Sequence, residues 1–372
     1  MDFSLDALRR WPDVEAPDLV AADAADRLIL DESAAARAGV PRDRIAVIGD
    51  SYGALALGCA ADDAAASGVV RVHQDALTGE RALAANAERT GLAGAVASLP
   101  LSAEAVRDAE VVLLRLPKSL DALRDAAGLI AAHAAPGVVV YAGGRLKHMT
   151  VAMNDVLSEF FTRLDVTHAR QKSRVLVARG PQHGRDPAPA RQTHDGLVVC
   201  AFGGAFAGTS IDIGTRFLLA QLPATVPADG AVIDLACGTG VVATRLAQQH
   251  PTVRVLATDQ SAAAVASARA TAAANGVADR VTVLRDDALS TQPDDSAAFI
   301  ALNPPFHSGT AVHSGLAAHL FADAARVLRP GGELWTVWNS GLRYRGELER
   351  IVGPTRQVAR NAKFTVTVSV AR

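Results

Sequence analysis

Short apolar runs alternate with longer amphipathic stretches through most of this chain, a pattern typical of parallel α/β sheets. The pattern is most regular in the second half. There it predicts helices at 241–249, 261–275 and 315–328, the last one stopped by Arg329-Pro330-Gly331-Gly332. It predicts strands at 231–236, 253–258, 280–284, 297–302 and 333–338, and a closing hairpin from 355–360 and 364–370.

The first half follows a blurred version of the same plan. It predicts strands at 44–49, 68–72, 110–116, 138–142 and 174–178. Because both halves place strands, turns and prolines at comparable intervals, we predict an internal duplication. The expected fold is therefore α/β, with two tandem Rossmann-like domains.

The boundary between the halves is predicted at 180–195, a segment rich in Pro, Gly and polar residues that has no apolar periodicity. A chain of 372 residues is long for one domain and comfortable for two. The expected organisation is a first domain at 1–180, a linker at 181–195 and a second domain at 196–372.

Composition narrows the class of protein. A hydrophobic content of 49% and a charged content of 20% describe an ordinary soluble globular protein. No apolar run approaches the roughly 20 residues needed to span a bilayer, and 1–17 lacks the apolar core of a secretory signal. The three cysteines are odd in number and unpaired in spacing, which argues against a disulfide framework or a cysteine-based zinc site. We expect a cytoplasmic monomer with no membrane partner and no metal.

Charge is unevenly distributed, although the formal net charge is only −2. Two stretches, 160–195 and 343–363, are rich in basic residues. These are Arg163, Arg170, Lys172, Arg174, Arg179, Arg185 and Arg191 in the first, and Arg343, Arg345, Arg350, Arg356, Arg360 and Lys363 in the second. Such runs are more often solvated faces than binding sites. If RNA is the partner, however, they must supply the phosphate contacts.

Polar residues accompany three predicted strands in series. Asp234 lies inside the first strand, and Ala236-Cys237-Gly238-Thr239-Gly240 runs from it into a helix, where small residues let a ligand approach the backbone. Asp259 ends the second strand, a position from which an acid can accept hydrogen bonds from both hydroxyls of a ribose. Asp287, with Ala288 behind it, follows the third strand and is placed to accept from an adenine amino group. A Gly-rich turn alone is weak evidence, but the series predicts a cofactor site.

Asn303-Pro304-Pro305-Phe306 follows the fourth strand, and His307 comes next. Ligands of open α/β sheets bind at this end of the strands. The prolines hold Asn303 in an extended conformation, so its side-chain carbonyl can accept from an amino group while the Phe306 ring stacks on a planar base. Transfer of a group to an exocyclic base nitrogen has these requirements. A Pro-rich turn without chemistry is the other interpretation of the tetrapeptide.

With these motifs the chain resembles the class I S-adenosylmethionine-dependent methyltransferases, and more narrowly the two-domain ribosomal RNA guanine-N2 methyltransferases. The resemblance covers nearly the whole length, and its details favour the branch acting on large-subunit rRNA. The other segments that carry it are 206–223, 286–289, 331–334, 338–339 and 361–364, with 116–118 and 142–145 in the first half.

The resemblance implies S-adenosylmethionine as the cofactor and ribosomal RNA, or a ribosomal subunit or assembly particle, as the partner. The expected cofactor-binding residues are Asp234, Ala236, Cys237, Gly238, Gly240, Asp259, Asp287, Ala288 and Asn303. The expected catalytic residues are Asn303, Pro304 and Phe306. Expected substrate contacts come from Phe306, His307, Asn339, Arg343 and Arg345.

The chain departs from the family pattern at two places. Ala236 replaces the first glycine of the turn, which leaves cofactor binding intact if its backbone angles are ordinary. In the first half, Gly49-Asp50-Ser51-Tyr52-Gly53 breaks the glycine pattern, and Leu116-Pro117-Lys118 stands where Asn-Pro-Pro is expected. The first half is therefore expected to be a degenerate, noncatalytic domain that assists folding, grips RNA or merely packs against its partner.

Three other functions remain open. An amino-methyltransferase of the same fold could act on adenine N6 or on a protein glutamine amide, although Tyr more often follows Asn-Pro-Pro in those enzymes. A noncatalytic RNA-binding module would not require the intact Asn303 motif. A nicotinamide oxidoreductase fits least, because the expected glycine spacing and a Tyr-x-x-x-Lys relay are both missing.

Overall fold

The computed structural model describes residues 3–62, 67–227, 229–305 and 310–372. The chain divides into two compact units, Met1–Ala188 and Pro189–Arg372. The division falls inside the predicted linker, 181–195.

The first unit is a sheet with helices on its faces. Its strands are β1 (Ile45–Ile48), β2 (Val70–His73), β3 (Val96–Ser98), β4 (Val111–Arg115), β5 (Val139–Arg145), β6 (Phe161–Val166) and β7 (Ser173–Pro181). Its α-helices are α1 (Ala24–Arg37), α2 (Ala54–Asp62), α3 (Leu77–Thr90), α4 (Ala103–Val106), α5 (Leu120–His133) and α6 (Val151–Phe160). Within the described residues the strand order is β3-β2-β1-β4-β5-β7-β6, with β7 antiparallel to both of its neighbours.

The second unit repeats this plan after an added hairpin. Its strands are β8 (Ala190–His194), β9 (Leu197–Ala201), β10 (Ala231–Leu235), β11 (Val255–Asp259), β12 (Val281–Arg285), β13 (Ala297–Leu302), β14 (Leu328–Asn339), β15 (Thr355–Arg360) and β16 (Phe364–Val370). Its α-helices are α7 (Ile213–Leu219), α8 (Val241–Gln249), α9 (Ala262–Ala274), α10 (Thr310–Val327) and α11 (Arg345–Ile351). Short 3-10 segments occur at Leu5–Ala7, Arg42–Arg44, Ala93–Ala95, Leu146–His148 and Ser340–Leu342.

The main sheet of the second unit has the order β12-β11-β10-β13-β14-β16-β15 in the described part of the chain. Strand for strand, this is the order of the first unit, including the antiparallel pair that closes it. The predicted α/β duplication is therefore confirmed. The hairpin of β8 and β9 forms its own small sheet. Residues 190–194 of the predicted linker, 181–195, are therefore a strand.

Burial of the strands explains why the polar functional side chains lie at one edge of this sheet. Every residue of β13 is buried, and the apolar clusters on the two faces of the sheet are built around Phe299 and Ile300. Strands covered on both faces are apolar throughout, as expected in a parallel sheet. Functional side chains must therefore follow the strands, and Asn303 is the first residue beyond the buried part of β13.

Two predicted boundaries, the starts of β14 and of α10, were wrong. We expected β14 to begin at Glu333 after a turn at 329–332, but the strand begins at Leu328. The Gly331 amide donates to the Ala371 carbonyl, and the Ala371 amide donates to the Gly332 carbonyl. A partner some 40 residues away in sequence thus holds the Pro-Gly-Gly segment extended. Helix α10 begins at Thr310 rather than at 315.

None of the described helices is both long enough and apolar enough to cross a membrane. Cys59, Cys200 and Cys237 are buried free thiols.

Candidate functional site

The carboxyl ends of β10 to β13 bring the predicted cofactor residues to one edge of the sheet. Leu235 at the end of β10 pairs with Thr258 of β11 on one side and with Leu302 of β13 on the other. Each strand then continues by one residue into the crevice. Ala236 therefore lies between Asp259 and Asn303, with neighbouring strands about 4.8 Å apart.

The turn after β10 depends on left-handed backbone at alternate positions. Gly238 has φ 52° and Gly240 has φ 74°, as glycine permits. Ala236 has φ 57°, so its angles are not the ordinary ones under which we expected the missing glycine to be harmless. An L-residue with a Cβ adopts this conformation at a cost of roughly 1–2 kcal/mol. Ala288, after β12, adopts it too, with φ 53°.

The two glycines of this turn have different tasks. A Cβ on Gly240 would lie 2.8 Å from the Cβ of Ala268, so only glycine lets the start of α8 pack against α9. A Cβ on Gly238 would meet no atom within 4 Å. Gly238 therefore faces open space at the crevice, where a ligand can reach the backbone.

Asp234 supports the same turn from inside the sheet. Its Oδ2 accepts a hydrogen bond of 2.9 Å from the Ala243 amide in the first turn of α8. Burial, together with the nearby negative charge of Asp259, raises the pKa of the Asp234 carboxyl to about 7. Asp234 is thus a structural cap of α8 as well as a candidate ligand residue.

Asp259 links the glycine turn to the helix that follows β11. Its Oδ2 accepts from the Gly238 amide at 2.9 Å, and its Oδ1 accepts from the Ser261 amide at 2.9 Å. The carboxylate is therefore held in a fixed orientation at the crevice. An ionised carboxylate offers about four acceptor positions, so this arrangement suits a group that presents two hydroxyls.

The loop after β12 is organised around Asp286, which the sequence analysis passed over. Its buried carboxylate accepts from the Asp287 amide at 2.8 Å, from Ser290 Oγ at 2.6 Å, and from the Thr291 amide and hydroxyl at 3.0 and 2.7 Å. The Asp287 amide is thereby fixed, and its partly buried carboxylate has Oδ1 3.1 Å from His319 Nε2. The hydrogen bond to Asp287 raises the pKa of His319. The spacing of Asp286 from Ser290 and Thr291 was the available signal.

Asn303 is held by two groups of α7. Its Nδ2 donates to Asp212 Oδ2 at 3.2 Å and to Thr215 Oγ1 at 2.9 Å. Since an ionised carboxylate can only accept, the amide nitrogen must face Asp212 and the carbonyl must point the other way. That carbonyl oxygen, Oδ1, is buried and has no hydrogen-bond partner among the described residues. A fixed acceptor of this kind is ready for an external N–H donor.

Gly214 leaves room beside that acceptor. A Cβ on Gly214 would lie 3.4 Å from Asn303 Oδ1, 3.3 Å from Phe364 Cε1 and 2.9 Å from Asp212 Oδ2. The roles of Asp212, Gly214 and Thr215 were not predicted from the sequence. An acid followed by Gly and Thr at helix-capping spacing was the signal that could have revealed them.

The remaining expected site residues fall into three groups. Phe306 and His307 lie outside the described residues, and Pro304 is buried. Asn339 Oδ1 caps the turn after β14 by accepting from the Gly341 amide at 3.0 Å. Arg343 and Arg345 are both exposed, but Arg345 pairs with Glu349 at 3.0 Å. Of the two, Arg345 is therefore the one whose charge is partly neutralised.

The basic stretch of the first unit is partly neutralised. Arg163 and Arg179 both pair with Asp165, each at 2.9 Å. Arg170 lies 3.3 Å from both Asp31 and Glu32. The positive charge of the stretch 160–195 is therefore partly neutralised in the structure by neighbouring carboxylates.

The corresponding edge of the first unit carries different side chains. Ile48 of β1 pairs with Leu114, as Leu235 pairs with Leu302, so Arg115 stands at the position of Asn303. The expected match of Leu116-Pro117-Lys118 with Asn-Pro-Pro is thus displaced by one residue. Arg115 binds Asp23, the N-cap of α1, at 2.7 Å.

The aspartate that supports the start of the helix after the first strand lies at a different position in this unit. Asp50 Oδ1 accepts from the Gly53 amide at 3.1 Å and Asp50 Oδ2 from the Ala56 amide at 2.8 Å, as Asp234 does for Ala243 in the second unit. Gln74, which occupies the position of Asp259, donates its amide to the carbonyls of Asp50 and Gly79. The second unit thus has the carboxylate of Asp259 at the crevice. At the same position the first unit has the side-chain amide of Gln74, which is hydrogen-bonded to backbone carbonyls of that unit.

Comparison with known families divides the chain at the same place. Residues 2–182 match the model described as the RLMG N-terminal domain, and residues 196–368 match the methyltransferase small domain. Both matches stop short of the segment 183–195, which contains the division between the two compact units.

Similar proteins span almost the whole chain. The "Ribosomal RNA large subunit methyltransferase G" of Shewanella amazonensis is 32% identical, with 98% of this chain and 95% of that protein covered. The protein of the same name from Streptomyces avermitilis is 35% identical, with 98% and 97% covered. Among solved structures, a 16S rRNA N2 G methyltransferase of T. thermophilus in complex with AdoMet and guanosine has a TM-score of 0.75 at 20% identity, covering 94% of this chain and 92% of that one. At that identity the structural likeness supports the fold.

Proposed function

Because this chain belongs to the family of ribosomal RNA large subunit methyltransferase G proteins, we propose that it transfers the methyl group of S-adenosylmethionine to the exocyclic N2 amine of a guanine in large-subunit rRNA. The observation that carries this proposal is the buried Oδ1 of Asn303, oriented by Asp212 and Thr215 and without a partner among the described residues.

The residues present at the crevice fit an S-adenosylmethionine molecule. Gly238 offers an open backbone approach, and Asp259 presents a fixed carboxylate for the two ribose hydroxyls. Asp287, whose backbone amide is held by Asp286, would accept from the adenine amino group. Asp234, Ala236, Cys237, Gly240 and Ala288 would shape the backbone around the ligand. The bound cofactor supplies an electrophilic methyl group on a sulfonium.

Asn303 would act on the nucleophile. A guanine amine is a weak nucleophile because its lone pair is delocalised into the ring. In our proposal Asn303 Oδ1 and the Pro304 carbonyl accept its two hydrogens and align its nitrogen with the methyl group. As that nitrogen gains positive charge, both acceptors bind it more strongly than in the ground state. Alignment alone can supply on the order of 7–11 kcal/mol.

The roles proposed for Phe306 and His307 rest on their sequence positions alone. Phe306 would stack on the extruded base, a contact worth roughly 1–3 kcal/mol. His307 would touch the base edge or relay the released proton. Asn339 would shape the pocket, and Arg343 and Arg345 would hold the RNA backbone. We propose that the protein acts as a cytoplasmic monomer on rRNA or on an assembling large subunit.

A single assay tests this function against its nearest alternatives. Purified protein is incubated with tritiated S-adenosylmethionine and rRNA from a strain that lacks the gene, and the methylated nucleoside is identified by digestion and mass spectrometry. We expect N2-methylguanosine at one position of large-subunit rRNA. Label in N6-methyladenosine, in small-subunit rRNA only, or in protein glutamine would replace the proposal. No label on naked RNA or on immature particles would favour a noncatalytic RNA-binding protein.

A further inference from the structure

A cavity of about 510 Å³ opens beside α7 in the second unit. This volume lies within the range of small-molecule sites and is sufficient for a ribose phosphate. The cavity is lined by Thr193, His194 and Asp195 from the hairpin of β8 and β9, by Ile211 and Arg216 from the segment around α7, and by Arg245 from α8.

Arg216 presents an unused guanidinium to this cavity. Its Nε donates to the Ile211 carbonyl at 3.0 Å, which fixes the plane of the group. Within the described ranges, neither of its terminal nitrogens has a hydrogen-bond or ion-pair partner. A fixed fork of free N–H donors matches the oxygens of a phosphate.

Arg245 adds a second positive charge from another element. Its Nη2 donates to the Asp195 carbonyl at 2.9 Å and its Nη1 donates to Gln248 Oε1 at 3.2 Å. These partners are neutral acceptors, and no carboxylate among the described residues pairs with Arg245. The guanidinium is therefore anchored at the cavity without being neutralised.

The charge of the lining favours an anion. Two guanidinium groups, of Arg216 and Arg245, face the single carboxylate of Asp195. His194 Nε2 lies 2.8 Å from the Thr209 carbonyl, so this nitrogen donates and His194 adds no negative charge to the lining. The predicted basic run at 160–195 did not single out this pair of arginines, because Arg216 and Arg245 are far apart in sequence.

The cavity shares its walls with the segment that holds Asn303. Ile211 lines the cavity and the next residue, Asp212, binds Asn303. Thr215 binds Asn303 and the next residue, Arg216, lines the cavity. Since consecutive Cα atoms are 3.8 Å apart, the cavity borders the segment that positions Asn303.

We propose that this cavity binds a backbone phosphate of the substrate RNA, adjacent to the target guanine. The proposal rests on the proposed function in that the ligand is the same RNA strand. It adds a site, formed by Arg216 and Arg245, that fixes the register of the strand while Asn303 selects the amine. Phosphate contacts position a nucleic acid without reading its sequence.

Equilibrium binding of protein-free large-subunit rRNA, measured against salt concentration, tests the cavity separately from catalysis. We expect Arg216→Gln and Arg245→Gln each to weaken binding by roughly 10-fold. Each should reduce the slope of log K against log salt by about 0.7, the value for one contact to a single strand. The matched control is Arg254→Gln, which removes an exposed arginine of the same unit that does not line the cavity. It should leave affinity and slope unchanged.

Two further measurements separate the possible failures. The affinity for S-adenosylmethionine should be unchanged in both variants, and saturating RNA should restore methylation, since neither arginine touches the reacting atoms. Wild-type RNA affinity and slope in the double variant would overturn the proposal while leaving the methyltransferase function intact. An effect equal to that of Arg254→Gln, or one seen on ribonucleoprotein particles but not on protein-free RNA, would also overturn it, the latter in favour of a protein contact.

Discussion

Asp212 accepts a hydrogen bond from Asn303 at 3.2 Å, and this bond joins the N-cap of α7 to the residue that follows β13. The first unit contains the same relationship between different side chains. There Asp23, the N-cap of α1, binds Arg115 at the end of β4 at 2.7 Å. In both units a helix that precedes the main sheet, α1 or α7, is thus clasped to the end of β4 or β13. Only the clasp of the second unit leaves a buried acceptor without a partner among the described residues.

Removing the acceptor should stop the reaction without unloading the cofactor. We expect Asn303→Ala to lower kcat by at least about 100-fold, the scale seen when one preorganised polar group is removed from an active site. The dissociation constant of S-adenosylmethionine should stay within a few-fold. Arg115→Ala, at the equivalent position of the first unit, should destabilise the fold and leave kcat unchanged. Near-normal turnover by Asn303→Ala would contradict the mechanism.

Removing the group that orients Asn303 should act through kcat as well. Asp212→Ala frees the amide to rotate, so we expect a fall in kcat with little change in RNA KM. Asp212→Asn keeps an acceptor and a good N-cap, so it should restore most of the activity. Asp23→Ala costs the first unit a comparable cap, about 1 kcal/mol, together with the ion pair to Arg115, and serves as the control for lost stability alone. Equal effects of Asp212→Ala and Asp23→Ala on kcat would rule out a positioning role.

Asp259 should matter for cofactor affinity. We expect Asp259→Asn to weaken S-adenosylmethionine binding in calorimetry, because one ribose acceptor becomes a donor. The isosteric change can keep a hydrogen bond to the Gly238 amide, so the glycine turn should persist. An unchanged dissociation constant would remove Asp259 from the site.

The left-handed Ala236 should be a site of stored strain. Replacement by glycine relieves the clash of its Cβ, offset in part by the greater freedom of glycine in the unfolded chain. We expect Ala236→Gly to raise the unfolding free energy by roughly 0.5–1 kcal/mol in denaturant titrations. Gly240→Ala should have the opposite sign, because its Cβ would lie 2.8 Å from that of Ala268. A destabilised Ala236→Gly protein would mean that the φ of 57° is not strained.

Asp234 should give the stability a distinct pH dependence. Its pKa is raised from 3.8 to about 7 by burial, so the folded protein holds a proton that the unfolded chain loses near pH 4. The contribution of Asp234 to wild-type stability should therefore fall as pH rises from about 4 to about 7 and level off above. Asp234→Asn lacks this contribution. The stability of the wild type minus that of the variant should accordingly decrease across the window, whereas a constant difference would show that Asp234 is ionised throughout. Taking the difference cancels Asp26, whose pKa is also raised to about 7.

The family prediction is confirmed, and so is the duplicated fold, because both rest on features with a local signature. The bounds of α8 and β13 follow from apolar periodicity and flanking glycine or proline, and the structure has them where they were predicted. The series Asp234, Asp259, Asp287 and Asn303 was placed correctly at one edge of the sheet, since parallel strands share their carboxyl ends. Their roles in binding and catalysis stay predictions.

What the sequence did not reveal depends on partners distant along the chain. Asp212 meets Asn303 across 91 residues, and no local pattern connects them. The φ of Ala236 is imposed by the turn into α8, not by the preference of alanine. Arg345 was predicted as a substrate contact, but in the structure it pairs with Glu349 one helical turn away. Arg216 and Arg245 line one cavity because α7 and α8 both border it.

The repeated clasp also shows what the fold of one unit requires. Both units tie an aspartate-capped helix to a strand end, one through the arginine ion pair of Asp23 with Arg115 and the other through the amide of Asn303 with Asp212. Because either side chain holds the helix in place, the fold does not depend on the amide. A unit can therefore keep its architecture without the side chain that would carry the chemistry.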